Sequence, residues 1–409
     1  MIDYLLKFML RDEQLACQVG YTADEAQYAD FKVVIRPSGF FDRMSEPKQV
    51  AALMREGLEF DGLPVLCGQA GSTRCGKTLV LEADFLASAY FVLTRYEELL
   101  DPERDVHGRF CSKLSWLSRC GWLQRPLVDA YGEYLHRLLT GSDPVYPQAS
   151  LCLTHDLDRV LQFGTWRNWL GGLRRGQLAA LCHRMASVEQ DPYWQACLWL
   201  NALAEKKDGL KQLYFVYTAT GSPYAEDRDC LPLERLPRRM LLQMSEWKAT
   251  VGIHFSYASA VDKGRLSAEL LAARSLTGHP VCVSRYHYLA DLHPDDLLLQ
   301  ESLGIAHDYT AGYADGIGFR LGTCRPVHYI SPMSGRLSNL VVHPLAVMDQ
   351  TLVSPAYMGL TPDKAFPLVT ALMDEVKHYG GELVLLWHNS TIAQAEAQKK
   401  LLQQVVSAW

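Results

Sequence analysis

Ala149-Ser-Leu-Cys-Leu-Thr-His-Asp-Leu-Asp158 is the stretch from which the fold can be read. An apolar run of strand length ends abruptly in an imidazole and two carboxylates two residues apart. Strands buried on both faces read as continuous apolar runs, and polar residues then collect where the strand leaves the core. The same shape recurs over 213–217, 249–254, 280–284, 304–308, 339–343 and 383–388, each run apolar and most ending in a polar residue. Helix-like stretches intervene, among them 265–275 and 365–379. Strands alternating with helices predict an α/β fold with a parallel sheet, and seven of them fit a β/α barrel with one unit missing or distorted. A long Trp-rich helical insertion is expected at about 163–211, between the first and second strands.

In a barrel the C-terminal strand ends converge, and enzymes of this architecture place their chemistry there. The first expected strand ends at Thr154-His-Asp-Leu-Asp158, the third at Gly252-Ile-His-Phe-Ser256, and the fourth at Arg285-Tyr-His-Tyr288. The fifth ends at Asp308-Tyr-Thr310, with Gly318-Phe-Arg320 beyond it, and the last at Leu385-Leu-Trp-His-Asn389. Each piece alone has an ordinary explanation: a histidine at a strand end often holds a backbone carbonyl, and an Asp after a strand often caps a helix. Their recurrence is what points to a site, because carboxylate and imidazole are the donors that hold a catalytic zinc-like ion.

Ahead of this region, residues 1–145 read as a smaller mixed α/β domain, with the breaker-rich Thr140-Gly-Ser-Asp-Pro-Val-Tyr-Pro147 at its end and residues 146–409 as the second domain. Gly71-Ser-Thr-Arg-Cys-Gly-Lys-Thr78 matches the phosphate-binding loop of nucleotide hydrolases, which must follow a strand and open a helix. Here Thr78-Leu-Val-Leu-Glu82 reads as another strand, so a β-hairpin is expected and Lys77 is placed in its turn. A nucleotide hydrolase is the reading this disfavours.

Composition narrows the class. Of 409 residues, 48% are hydrophobic and 21% charged, which suits a globular chain. A net charge of −6 argues against a general nucleic-acid binder, which needs excess Lys and Arg. No run approaches the roughly 18–20 apolar residues that cross a bilayer, and the acidic N-terminus does not resemble a signal peptide. Eleven scattered cysteines without a C-x-x-C pair suit reduced thiols, so a cytoplasmic setting is expected. Oligomeric state is not legible.

The order Thr-His-Asp-x-Asp, Gly-Ile-His-x-Ser, Arg-x-His-Tyr and Leu-x-x-His, across roughly residues 148–392, resembles the polysaccharide deacetylase family of the NodB-homology fold. The N-terminal region, with Arg95-Tyr-Glu-Glu98 and Asp105-Val-His-Gly-Arg-Phe110, resembles an extra domain found in a bacterial branch of it. The resemblance implies a distorted (β/α)7 barrel and a metal-dependent hydrolase, zinc being the expected metal, that deacetylates an N-acetyl or O-acetyl sugar. It implies Asp156 as general base, Asp158 and His254 as metal ligands, His388 as general acid, and Arg285 as the group orienting Asp156. Asp308 and Arg320 are expected to contact substrate or support the site. The alternative is a weak or inactive barrel that binds a glycan or a partner protein.

The family's second motif is His-x-x-x-His, and here Ala258 stands four residues after His254. Two protein ligands fall one short of the three that a catalytic zinc usually has. An imidazole, His287, occupies the place of the family's proline in Arg-x-Pro-Tyr. Adjacent strands lie about 4.8 Å apart, so His287 is the expected third ligand, with His307 and His343 as fallbacks.

Overall fold

The computed structural model describes residues 1–164, 166–176, 188–236 and 238–409. Much of the expected 163–211 insertion therefore lies outside the described residues. What is described of it includes a helix at Trp166–Arg174 and another at Pro192–Glu205. Asp191 caps the second, accepting the Tyr193 N–H. Trp194 is fully buried and stacks on Trp247 at 5.7 Å between ring centroids, so it belongs to the core.

Fifteen strands are described. The N-terminal region carries β1 (Val19–Tyr21), β2 (Val33–Ile35), the short pair β3 (Glu59–Phe60) and β4 (Leu63–Pro64), β5 (Gly68–Cys75) and β6 (Thr78–Ala83). A four-stranded sheet runs β1-β2-β6-β5. β5 and β6 are antiparallel with Cys75 opposite Thr78, so Gly76 and Lys77 form a two-residue hairpin turn, with Gly76 at φ 62°. Such turns demand positive φ, which glycine supplies without strain. The phosphate-loop letters thus spell a hairpin, as expected.

The remaining strands are β7 (Ser150–Leu157), β8 (Lys211–Tyr217), β9 (Thr250–Phe255), β10 (Val283–Tyr286), β11 (His307–Asp308), β12 (Val327–Ile330), β13 (Leu337–Val342), β14 (Leu345–Met348) and β15 (Glu382–Leu386). They form one nine-stranded mixed sheet in the order β12-β13-β11-β10-β9-β8-β7-β15-β14. All neighbours are parallel except β12 and β13. Every strand expected from the sequence is present, and β12 and β14 are additional.

The sheet is strongly curled, and connectivity alone requires it. β13 and β14 stand seven steps apart in the strand order, which in a flat sheet means roughly 34 Å at about 4.8 Å per step. Only His343 and Pro344 join them, and three Cα–Cα steps reach at most about 11 Å. The sheet must bend back on itself. The His343 N–H accordingly donates to the Asp308 carbonyl at 2.8 Å, and the Leu345 N–H to the Ala311 carbonyl at 3.0 Å.

One buried apolar cluster runs through both regions, joining Leu5, Val33, Phe85 and Tyr131 to Ile253, Tyr286, Leu383 and Leu401. Buried ion pairs cross the same boundary. Arg95 meets Asp291 at 2.8 Å, and Arg320 meets Glu98 at 2.6 Å. The helix expected onward from Asp84 stops at Leu93; Arg95 then takes a left-handed φ of 56°, and a second short helix follows at Glu97–Leu100. No described helix is long and apolar enough to cross a membrane.

Candidate active site

Side chains alternate along a strand, so Thr154 and Asp156 of β7, with Asp158 just past its end, lie on one face, where Asp156 and Asp158 line a cavity. His155 faces the other way. Its Nδ1 lies 2.8 Å from the Trp387 carbonyl, and burial lowers the imidazole to about 4, which leaves it a neutral structural residue. On the neighbouring strands His254 of β9 pairs directly with Arg285 of β10 in the ladder. The curl of the sheet brings these residues together.

Arg285 is fully buried beneath the site. It donates from Nη1 to Asp156 Oδ1 at 2.9 Å and to Thr154 Oγ1 at 2.8 Å, and from Nε to the Tyr309 carbonyl at 3.0 Å. Its guanidinium also lies 4.5 Å over the Phe215 ring. Burial works against the Asp156 carboxylate, but the Arg285 charge outweighs it, with help from His254 and His388, and holds the group below its ordinary range. Asp156 is thereby kept ionised and oriented.

Three donor atoms converge above it. Asp158 Oδ1 lies 3.1 Å from His254 Nε2 and 3.6 Å from His287 Nε2. Asp158, His254 and His287 offer ligand atoms that all fall within 4.8 Å of one another. Each imidazole is fixed through its other nitrogen: His254 Nδ1 faces the Arg285 carbonyl at 3.2 Å, and His287 Nδ1 faces Asp227 Oδ1 at 2.9 Å. With Nδ1–H donated to an oxygen, the Nε2 lone pair points inward, the arrangement typical of metal-binding histidines. Asp158 Oδ1 and His254 Nε2 are buried with no hydrogen bond despite their proximity. Such orphaned atoms are costly unless something else satisfies them. The donor set and its orphaned atoms fit a divalent metal.

Ala258, four residues after His254, is tied to His287 through Asp227. Its backbone N–H donates to Asp227 Oδ2 at 2.9 Å, the Tyr257 N–H reaches Oδ1 at 3.0 Å, and Ser222 Oγ reaches Oδ2 at 2.7 Å. Burial opposes the Asp227 carboxylate, but His287 and these donors lower it to about 2. The segment at Tyr257 and Ala258 therefore holds the carboxylate that orients His287. Cys230 Sγ lies 3.7 Å from both nitrogens of the same ring and completes a second donor group with Asp227.

His388 follows β15 on the opposite rim. Its Nδ1 lies 2.7 Å from Asp349 Oδ1, and its backbone N–H donates to Asp349 Oδ2 at 2.9 Å. Burial disfavours the imidazolium, but Asp349, with Asp158 and Asp156, overcomes this and raises it to about 10. A charged proton donor and an ionised carboxylate thus face one cavity of about 320 Å³, which Asp156, Asp158, His287 and His388 all line.

Asp308 and Arg320, expected to contact substrate or support the site, are not among the residues lining this cavity. Asp308 is wholly buried and accepts from the Thr310 N–H and hydroxyl and from Ser284 Oγ at 2.8–3.0 Å. Arg320 is committed to Glu98 and to the Gly312 carbonyl. His307 and His343 sit together instead with Glu382 at the start of β15, His343 Nδ1 lying 2.5 Å from Glu382 Oε2, so neither fallback completes the site.

Three participants escaped the sequence reading. Asp227 sits in an irregular loop with no periodicity to mark it. Asp349 directly follows β14, and recognising Leu345-Ala-Val-Met348 as a strand would have exposed it. Arg109 comes from the N-terminal region and lines the cavity, donating to the Tyr288 carbonyl at 2.8 Å and the Tyr357 hydroxyl at 3.0 Å.

A family model described as "Family of unknown function (DUF7033)" matches residues 3–144. No curated protein matches the chain. Among solved structures the chain is similar to one from Mycobacterium smegmatis bearing the provisional description polysaccharide deacetylase, at 16% identity and a TM-score of 0.43. That alignment covers 65% of this chain and 85% of the other.

Proposed function

We propose that the chain is a metal-dependent hydrolase that removes an acetyl group from an N-acetyl or O-acetyl sugar, built on a distorted (β/α)7 barrel of NodB-homology type. In this reading residues 1–145 are an N-terminal domain and 146–409 carry the chemistry. The observation that carries it is the set of three inward-facing donors, two of them orphaned, set between an ionised Asp156 and a charged His388. Asp158, His254 and His287 would hold the metal, zinc by its donor preference. When bound, such a metal supplies Lewis-acid chemistry toward an acyl carbonyl.

The chain's own groups supply the rest. Asp156, fixed by Arg285, takes the proton of an attacking water at its carboxylate. His388, held by Asp349, delivers a proton from Nε2 to the departing nitrogen or oxygen. Tyr193, Tyr288 and Tyr357 line the cavity with apolar faces and hydroxyls suited to a sugar ring. The described cysteines are all free, which supports a cytoplasmic setting. Asp156→Asn and Asp158→Asn separate the roles. The first is expected to keep its metal while hydrolysis of an acetyl ester or N-acetyl sugar falls by about 10²-fold or more; the second is expected to lose both. Equal metal loss in the two variants contradicts this division.

A further inference from the structure

The buried arginines among the described residues are spoken for: Arg95 by Asp291, Arg109 by Asp105, Arg285 by Asp156 and Arg320 by Glu98. Half-buried Arg159 and exposed Arg175 line one concavity together and are not. An outer lobe of about 720 Å³ adjoins the cavity just described, and Arg159, Tyr193 and Asp229 line both. Arg159 and Arg175 both line this lobe, and among the described residues neither guanidinium has a carboxylate partner or a side-chain hydrogen bond. Arg159 follows Asp158 directly and lies 5.5 Å over the Tyr193 ring. Tyr193 is itself held by Gln394, which donates to its hydroxyl at 2.6 Å. Gln162 and Gln394 add amide groups to the lining, and Asp229 is the lobe's one acidic residue among those described.

Among the described lining residues, two guanidiniums stand against one carboxylate, a local excess of positive charge in a chain whose overall charge is −6. An unpaired guanidinium beside a polar cavity is a planar fork of N–H donors matched to phosphate oxygens. A single carboxylate would engage one such fork. A diphosphate spreads its charge over two groups and engages both, with the amides of Gln162 and Gln394 available to its remaining oxygens.

We propose that Arg159 and Arg175 form a diphosphate-binding subsite, so that the substrate is an acetylated sugar carried on a diphosphate. This rests on the hydrolytic reading of the adjoining site for what is cleaved, but the subsite itself is a binding claim. The sugar occupies the inner cavity beside Tyr193 and Tyr288, and the diphosphate extends past Arg159 into the outer lobe. The diphosphate's far end can be a nucleoside or a polyprenyl alcohol, since the recognising chemistry is the same.

Two measurements on the full-length, metal-loaded protein test it. Titration calorimetry with inorganic pyrophosphate is expected to show saturable binding that weakens at least tenfold in Arg159→Gln/Arg175→Gln, with metal content unchanged. No saturable binding at millimolar concentration, or the same affinity in the double variant, overturns the subsite. This arm needs no turnover, so it stands or falls apart from the hydrolytic reading. The second arm compares kcat/KM for a free N-acetylhexosamine, its nucleoside diphosphate and its short-chain polyprenyl diphosphate. A preference of tenfold or more for a diphosphate form, lost through KM in the double variant, supports the proposal, and whichever form is preferred names the carrier. Equal kcat/KM for all three overturns it.

Discussion

Asp308 shows what burial does to a group that the sequence marked as functional. It sits at a strand end, like the candidate site residues, yet its carboxyl is enclosed by Thr310 and Ser284 with Asp291 nearby. Desolvation, then the Asp291 charge, raises it to about 6. A raised folded-state value means its stabilising contribution is fully present below the ordinary carboxylate range near 4 and is lost as pH rises through about 6. Asp308→Asn keeps an acceptor for the Thr310 N–H and removes the ionisation. Urea unfolding should therefore find the variant more stable than the parent by about 2–3 kcal/mol at pH 8, at roughly 1.4 kcal/mol per pH unit, and nearly equal at pH 4. An equal gain at both pH values would show that packing, not ionisation, is responsible. Asp156 and Asp308 are indistinguishable in sequence, since both follow a buried apolar run. Only the curl of the sheet separates the one that meets a cavity from the one that does not.

Among the elements, the turn after β10 is the most constrained. Tyr288 and Leu289 both take positive φ, 60° and 53°, although neither is glycine. Each such residue costs on the order of 1–3 kcal/mol and persists only where its surroundings impose it. Arg109 grips the Tyr288 carbonyl, and the Asp291 N–H donates to the Leu289 carbonyl at 2.9 Å. The turn begins at His287, so the N-terminal region helps aim a candidate ligand. Arg109→Gln is expected to weaken metal binding by about 10–100-fold, as changes behind metal ligands do, with the far-ultraviolet circular dichroism spectrum unchanged. Undiminished metal affinity would show that the turn holds itself. The strands themselves were legible because a parallel strand buried on both faces leaves a continuous apolar run such as Leu383-Val-Leu-Leu386. β14 was not, because two residues separate it from β13 and its four residues read as a continuation. The left-handed break at Arg95 was also hidden, since Arg95 lies within a good helical pattern and is turned aside by its buried partner.

Across the whole molecule, the boundary that composition draws near residue 145 is crossed by the core itself. Apolar residues of both regions share one cluster, and Arg95–Asp291 and Arg320–Glu98 are ion pairs buried between them. Removing one partner of a buried pair leaves an unpaired charge and typically costs about 3–5 kcal/mol. Arg95→Met should lower the unfolding free energy by about that amount in a single cooperative transition. Two separate transitions, with only the first displaced, would mean that the regions fold independently. The interlocking was not readable in the sequence, because Arg95-Tyr-Glu-Glu98 shows charge but not where in the fold its partners Asp291 and Arg320 will lie.

Asp158, His254 and His287 are proposed to hold one divalent metal together. Elemental analysis of the protein purified without chelators tests it most directly, on the parent and on His287→Ala together. One equivalent of a divalent transition metal is expected in the parent, zinc by preference, with most of it lost from a folded His287→Ala. A folded parent without such a metal, or a variant that keeps full occupancy, would contradict the account.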